Sequence, residues 1–369
     1  MFELTSSKQQ LLNPLLTVAG AVDKKQATPI LSNILMKLSD GCLYLTATDL
    51  EIEMTACIPC ITDNQTGSMT VPAKKMVDII RSLEEDANPT LTYHSEGYLS
   101  INVGRSQFKL ATLPAEDYPV SQSEVNHVEF SIQRLALLHL FQSTHFALTQ
   151  QDVRFFLNGL LLEIDPQSIA VVATDGHRMA ISRYVFQQNT QHHRLLIPRK
   201  AVQELLRLLS HIEDEKVSIS AGKNHFKFMS SQYTFVSKLI ESRFPAYEKV
   251  IPKHHDKQVT VDRELLKRAL SRMMILANEK LRAVTLYVQP NQLVLVAHNQ
   301  QKEEATETLL AQTTGGELEI NINASYLFDV LNYIDGASVR ISLGDASQSI
   351  LVESLQDPLY QYIIMPMKR

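Results

Sequence analysis

Apolar positions recur along the chain in three matching sets. Met76, Ile79, Ile80 and Leu83, then Val202, Leu205, Leu206 and Leu209, then Leu327, Val330, Leu331 and Ile334 all fall at i, i+3, i+4, i+7. That spacing lays a single apolar stripe along a helix, so it predicts three amphipathic helices. The stripes are offset by 126 and 125 residues. Pro72 and Pro198 stand at the starts of the first two, where a missing N–H costs nothing, and Asn323 takes that place in the third.

A second series precedes these helices. Phe2-Glu3-Leu4-Thr5, Val128-Glu129-Phe130-Ser131 and Val259-Thr260-Val261-Asp262 each read apolar, polar, apolar, cap. Each predicts a short strand ending on the N-cap of a helix. Pro14 lies inside the first of these helices and is expected to end or kink it. Between the two helix series, Leu43 to Asp49, Ile169 to Asp175 and Leu293 to Asn299 read as strands at offsets of 126 and 124. Thr90 to Tyr93 and Ser100 to Val103 read as further strands. Every unit is thus strand, helix, strands, helix, strands. The expected fold is α+β, with three repeated domains at 1–125, 126–253 and 254–369.

Composition narrows the class. With 369 residues, 44% hydrophobic and 20% charged, the chain is a folded protein of several domains. Three cysteines make no disulfide framework and fit a reducing cytoplasm. No apolar run approaches the roughly 20 residues that span a bilayer, and Met1 to Thr5 lacks the features of a signal peptide.

A net charge of −5 argues, taken alone, against a protein coated in nucleic acid. Its distribution changes that. The six helix-bearing segments together carry +5, which leaves −10 on the rest. If the helices share one side of an assembly, that side attracts a polyanion.

Catalytic motifs are weak. Cys57-Ile58-Pro59-Cys60 is a lone C-x-x-C without a second pair for zinc, and it sits in a strand rather than at a helix start. His192-His193 and His254-His255 lie in polar loops, where such pairs bind a metal less often than not. Thr174-Asp175-Gly176-His177-Arg178 sets an Asp near a His, as general-base chemistry would. However, Asp-Gly after a strand is a turn signal, and the equivalent Thr48-Asp49-Leu50-Glu51 has no His. Glu303, Glu304 and Glu307 have no nucleophile beside them. No catalytic residue, metal site or cofactor is expected. A nuclease or hydrolase built on Asp175, His177 and the glutamates is the competing reading, and a passive scaffold without a DNA role is a third.

Several segments occur in one order: Thr28-Pro29-Ile30-Leu31-Ser32-Asn33, Ala47-Thr48-Asp49-Leu50-Glu51, Asp152-Val153-Arg154-Phe155-Phe156-Leu157-Asn158-Gly159, Ala173 to Arg178, Arg243-Phe244-Pro245 and Met365-Pro366-Met367. With the threefold repeat, they make the whole chain closely resemble the bacterial DNA polymerase III β subunit, the sliding clamp, of γ-proteobacterial type. The resemblance implies a head-to-tail homodimer. Six repeats would close a ring around double-stranded DNA, with helices lining the hole. The ring would hold the polymerase III α subunit, the clamp loader and other polymerases and repair proteins through short peptide motifs. It implies a non-catalytic processivity factor.

Residue roles follow from the same resemblance. Lys25, Gln151, Phe155, Phe156, Arg199 and Lys200 match positions that contact DNA; the family often has tyrosines at 155 and 156, so Phe loses a hydroxyl there. A partner-peptide pocket is implied at Leu157, Thr174, Gly176, His177, Arg178, Met179, Pro245 and Val250. Ser349, Ile363, Ile364, Met365, Pro366 and Met367 complete it, and methionine suits a surface that accepts many partners. The dimer seam would set Phe108 and Leu110 against Ile275 and Leu276, and Lys75 and Arg105 against Glu303, Glu304 and Glu307. Gln107, Gln301 and Thr306 replace charges frequent in the family, which makes the seam less salt-sensitive or weaker.

Overall fold

A computed structural model of the chain describes residues 2–22, 28–60, 65–121, 126–149, 151–187, 191–253, 255–279 and 281–367. Two compact units emerge, residues 1–135 with 203–239, and residues 136–202 with 240–369. The second repeat is therefore divided, because sheets run across repeat boundaries. In the first unit, the strand Ile52–Pro59 of repeat one pairs with Tyr233–Lys238 of repeat two, Met54 opposite Phe235. In the second unit, Arg178–Val185 of repeat two pairs with Tyr360–Ile364 of repeat three. The first unit holds a four-stranded and an eight-stranded sheet, and the second holds a twelve-stranded one. All pairings among the named strands are antiparallel, as hairpin-connected repeats dictate.

Six α-helices lie among the described residues: α1 (Lys8–Ala19), α2 (Ala73–Ser82), α3 (Arg134–Gln142), α4 (Arg199–His211), α5 (Arg263–Leu276) and α6 (Ala324–Tyr333). The predicted stripes face the core. Met76, Ile80, Val202, Leu205, Leu209, Leu327, Val330, Leu331 and Ile334 are all buried, while Ile79, Leu83 and Leu206 are half-buried. Burying such a side chain contributes roughly 1.5–3 kcal/mol. Within the first unit α1 packs on α2, and within the second α5 packs on α6.

Three local expectations change. The α1 cap is Ser7, two residues beyond Thr5, in a reciprocal box with Gln10. The strand Val128–Gln133 runs past Ser131, so α3 begins at Arg134. Only Asp262 caps its helix as expected, accepting from Leu265 N at 2.8 Å. Helix α1 also continues through Pro14 to Ala19. The lost N–H bond is outweighed by packing, because Pro14 is buried on one face with Leu11, Leu15 and Val18.

Candidate functional site

In the second unit, Met179 lies opposite Ile363 and Arg178 opposite Ile364. Side chains alternate across a sheet, so Met179 and Ile363 share one face and Ile364 turns to the other. The first face forms a buried cluster with Leu161, Val172, Leu196, Phe244, Tyr247 and Leu351, on which Phe156 packs. Here opens a largely apolar cavity of about 140 Å³. The 3-10 turn Phe155–Asn158 contributes Phe156 and Leu157 to its wall. Thr174, Gly176, His177, Arg178 and Met179 come from one strand–turn–strand segment, Pro245 and Val250 flank another turn, and Ile363 and Met365 come from the last strand and just beyond it.

Four of the expected pocket residues lie elsewhere. Ser349, Pro366 and Met367 line a neighbouring cleft of about 730 Å³, which shares Met365 with the cavity. Ile364 is fully buried on the opposite face, because strand alternation sends it to the core. Phe244, Tyr247 and Arg154 line the cavity although sequence reasoning did not assign them. Their available signal was the pair of aromatics three residues apart around Pro245. Phe156, Phe244 and Tyr247 stack edge-to-face, with centroids 6.1 and 6.4 Å apart at 79° and 71°.

The turn after Thr174 is held by its own side chains. Thr174 Oγ1 donates to Arg178 O at 2.7 Å. Asp175 Oδ1 accepts from the backbone N–H groups of His177 and Arg178 at 2.9 Å, and Oδ2 accepts from Arg178 Nε at 3.0 Å. Asp175 thus meets the main chain of His177, which is a turn-forming role. Repeat one builds the same turn: Asp49 Oδ1 accepts from Glu51 N and Ile52 N at 2.9 and 2.8 Å. In repeat three Asn299 Oδ1 accepts from Gln301 N and Glu303 N, both at 3.0 Å. Arg178 is also fixed, donating to Asp329 Oδ2 at 2.5 Å and Phe146 O at 2.7 Å, with its guanidinium 4.6 Å from the Tyr326 ring centroid.

At the rim, Arg154 donates to both Asp152 oxygens at 3.0 and 2.9 Å. Those bonds and the Arg154 N–H hold the Asp152 carboxyl down at about 2. Behind the wall, Tyr247 donates its hydroxyl to buried Glu163 at 2.7 Å. Burial and the acceptor Glu163 push the Tyr247 phenol well above its ordinary value.

The residues matched to DNA contacts divide by surroundings. Lys25 lies outside the described residues. Gln151 is exposed in a left-handed conformation, φ 56°. Phe155 is 71% exposed, whereas Phe156 packs into the cavity wall. Arg199 is half-buried and donates to the carbonyls of Leu148 and Thr149 at 2.7 and 3.1 Å, and burial lowers its pKa. Lys200 is half-buried. The helix charge count also overstates free cations, since Lys8 is buried and Arg134 and Arg263 bond backbone carbonyls.

The seam residues are similarly sorted. Lys75 and Arg105 are exposed, Phe108 is half-buried, and Leu110 is buried within its own sheet, a correction to its expected seam role. Ile275 is 77% exposed and Leu276 half-buried. Glu307 pairs with Arg272 of the same chain, its Oε2 accepting from Nη2 at 2.6 Å. Glu303 bonds Asn299, and Glu304 lies exposed, 3.9 Å from His298.

Among the described residues no group of three or more His, Cys, Asp or Glu side chains is placed to hold a metal, and His254 lies outside them. Cys42, Cys57 and Cys60 are free, and burial with a hydrogen bond to Cys42 pushes the Cys57 thiol up to about 11. No helix among the described residues is long and apolar enough to cross a membrane.

Comparison with known proteins agrees along the whole chain. Profiles of the DNA polymerase III beta subunit match as its N-terminal domain over 2–122, its central domain over 131–246 and its C-terminal domain over 248–368. The Escherichia coli K12 beta sliding clamp is 39% identical over 366 residues, 99% of this chain and 100% of that one. The Pseudomonas aeruginosa PAO1 beta sliding clamp is 40% identical over 365 residues, 99% of each chain. The crystal structure of the Pseudomonas aeruginosa DNA polymerase III subunit beta superposes with a TM-score of 0.96 at 40% identity, covering 100% of both chains. A Pseudomonas aeruginosa sliding clamp bound to griselimycin gives 0.96 at 40% identity, over 100% of this chain and 99% of that one. With three domain profiles in order, about 40% identity over full length and the same fold, the chain belongs to the DNA polymerase III β subunit family of DNA sliding clamps.

Proposed function

We propose that two copies of this chain close a ring around duplex DNA, and that the apolar cavity holds partners by a short peptide. The observation that carries this reading is the cavity itself, an apolar recess at the junction of repeats two and three. A dry recess of about 150 Å³ takes a benzene-sized group, so the cavity suits one Phe or Leu side chain of a linear motif. Such motifs would belong to the polymerase III α subunit, the clamp loader and other polymerases and repair proteins. The clamp performs no chemistry of its own; it tethers, and its place is the cytoplasm.

Two open strand edges support ring closure. Ser106–Ala111 ends the four-stranded sheet. In Glu304–Thr314 only residues 311–314 pair on the second side, which leaves 304–310 with an open edge. Pairing these edges between copies completes both ladders, and a head-to-tail contact of two chains closes without a filament. Domain limits near 125 and 253 follow the repeat.

DNA retention is then topological. Weak, sequence-independent contacts from Lys25, Gln151, Phe155 and Lys200 permit sliding, while tight ones would hinder it. The test is loading onto nicked circular DNA followed by linearisation. The ring is expected to stay on the circle and slide off open ends, and retention on linear DNA refutes topological binding.

A further inference from the structure

We infer that Glu163 is a positioning residue for partner binding, acting through Tyr247 without facing the cavity; this rests on reading the cavity as the peptide pocket. Glu163 sits on the strand Gly159–Asp165, opposite Arg194 of His193–Pro198. Its side chain is 7% exposed, yet three donors converge on its carboxylate. Oε2 accepts from the Tyr247 hydroxyl at 2.7 Å. Oε1 accepts from Arg194 Nε at 2.6 Å and from His192 Nε2 at 2.9 Å. A buried carboxylate this well satisfied is a rigid point in the fold.

The network grips the 3-10 turn Tyr247–Lys249 twice. Tyr247 is held at its hydroxyl, and Arg194 Nη2 donates to Glu248 Oε1 at 3.0 Å. Two short-range backbone bonds brace this segment internally, Lys249 N to Ala246 O at 3.2 Å and Val250 N to Tyr247 O at 2.9 Å. Its position therefore rests on this anchor together with the packing of Tyr247 in the buried cluster. Pro245, Tyr247 and Val250 of this segment form one wall of the cavity, and the Tyr247 ring leans edge-on against Phe244. If the anchor is lost, the wall relaxes into the recess or away from it, and a site sized for one side chain changes shape. Pre-organisation of this kind sets affinity by sparing the ordering cost on binding.

The experiment uses the full-length chain with Glu163→Gln, Tyr247→Phe and both together. One arm measures affinity for a fluorescein-labelled peptide carrying adjacent Leu and Phe. The other follows hydrogen exchange at the Lys249 and Val250 amides. Each single variant is expected to weaken binding about tenfold, as loss of a buried charge-assisted bond implies, and the double no more than the worse single. Exchange at both amides is expected to speed up, while the Phe2–Thr5 strand is unaffected. Wild-type affinity in Glu163→Gln, multiplying effects in the double, or unchanged exchange would each overturn the inference. Tyr247→Phe removes one oxygen and keeps the test readable if Glu163→Gln does not fold. A wild-type chain that ignores the peptide refutes the pocket reading instead, and exchange alone then decides whether Glu163 anchors the turn.

Discussion

Lys8 Nζ donates to the Leu83 carbonyl at 2.7 Å, joining the first residue of α1 to the residue that ends α2. A like contact recurs in every repeat, to the last turn of α4 in the second and to the residue that ends α6 in the third. Arg134 Nη1 donates to Leu209 O at 2.8 Å, and Arg263 Nη1 to Ile334 O at 2.7 Å. The last carbonyls of a helix lack internal partners, and a cation there also meets the negative end of the helix dipole. One cation thus pins the two helices of each repeat at the same point.

Lys8→Met is expected to destabilise the first unit by about 1–2 kcal/mol, because the half-buried Leu83 carbonyl loses the charged donor of a buried side chain. Its other partner, Glu85, is 82% exposed and contributes little. Lys74→Met, on the exposed face of α2, should stay within about 0.5 kcal/mol. Urea unfolding followed by exchange of α1 and α2 amides separates the two outcomes.

Leu50 stands at φ 75°, where the equivalent turn of repeat two has Gly176 at φ 88°. A left-handed non-glycine residue costs roughly 1–2 kcal/mol. Leu50 is 49% exposed, so replacing it removes little packing. Leu50→Gly should therefore raise stability, by about 0.5–1 kcal/mol after glycine's own entropy is counted. Gly176→Ala should do the reverse, since its Cβ would lie 3.1 Å from Arg154 Nη2 at the cavity rim. Thermal melts of the two variants in opposite directions are the check.

Phe155 and Phe156 should separate by assay. Phe156→Ala removes a ring from the cavity wall, so peptide affinity should fall and stability should drop by about 2 kcal/mol or more. Phe155→Ala should leave stability within about 0.5 kcal/mol and shorten residence on circular DNA. Equal effects of both changes on peptide affinity would contradict this division.

Acid should weaken the second unit through Glu163. Burial pushes this carboxyl up, but bonds from Tyr247, His192 and Arg194 outweigh burial and hold it below its ordinary value. Its stabilisation is therefore complete above the ordinary carboxyl pKa of about 4.3 and fades as pH falls through the lowered folded value. Melting temperature between pH 6 and pH 3 should fall less steeply in Glu163→Gln than in wild type, whatever the variant's stability at neutral pH.

Ile275→Asp should yield monomers by placing a charge in an apolar seam. Ile275 is the better probe than Leu276 because it is 77% exposed in the single chain, so its folding role is small. Mass by light scattering decides, and an unchanged dimer would refute this seam.

The repeat, the helix stripes and the turn at Asp175 were legible in the sequence because each is local. Periodicity, caps and Asx turns act over a few residues, so Met76 to Leu83 or Thr174 to Arg178 carry their own structure. The family motifs likewise point to the cavity. What tertiary structure alone decided is where side chains of one chemistry end up. Phe155 and Phe156 are adjacent and identical, yet only one reaches the apolar wall. Ile363 and Ile364 differ only by strand alternation, which sends one to the cavity and one to the core. Lys8, Arg134 and Arg263 counted as helix charge, but their carbonyl partners lie 75, 75 and 71 residues away. Glu163 stands in a mostly apolar strand, and only distant Tyr247 and Arg194 make it an anchor. Burial and long-range pairing depend on which surfaces meet, and no local window of sequence contains that.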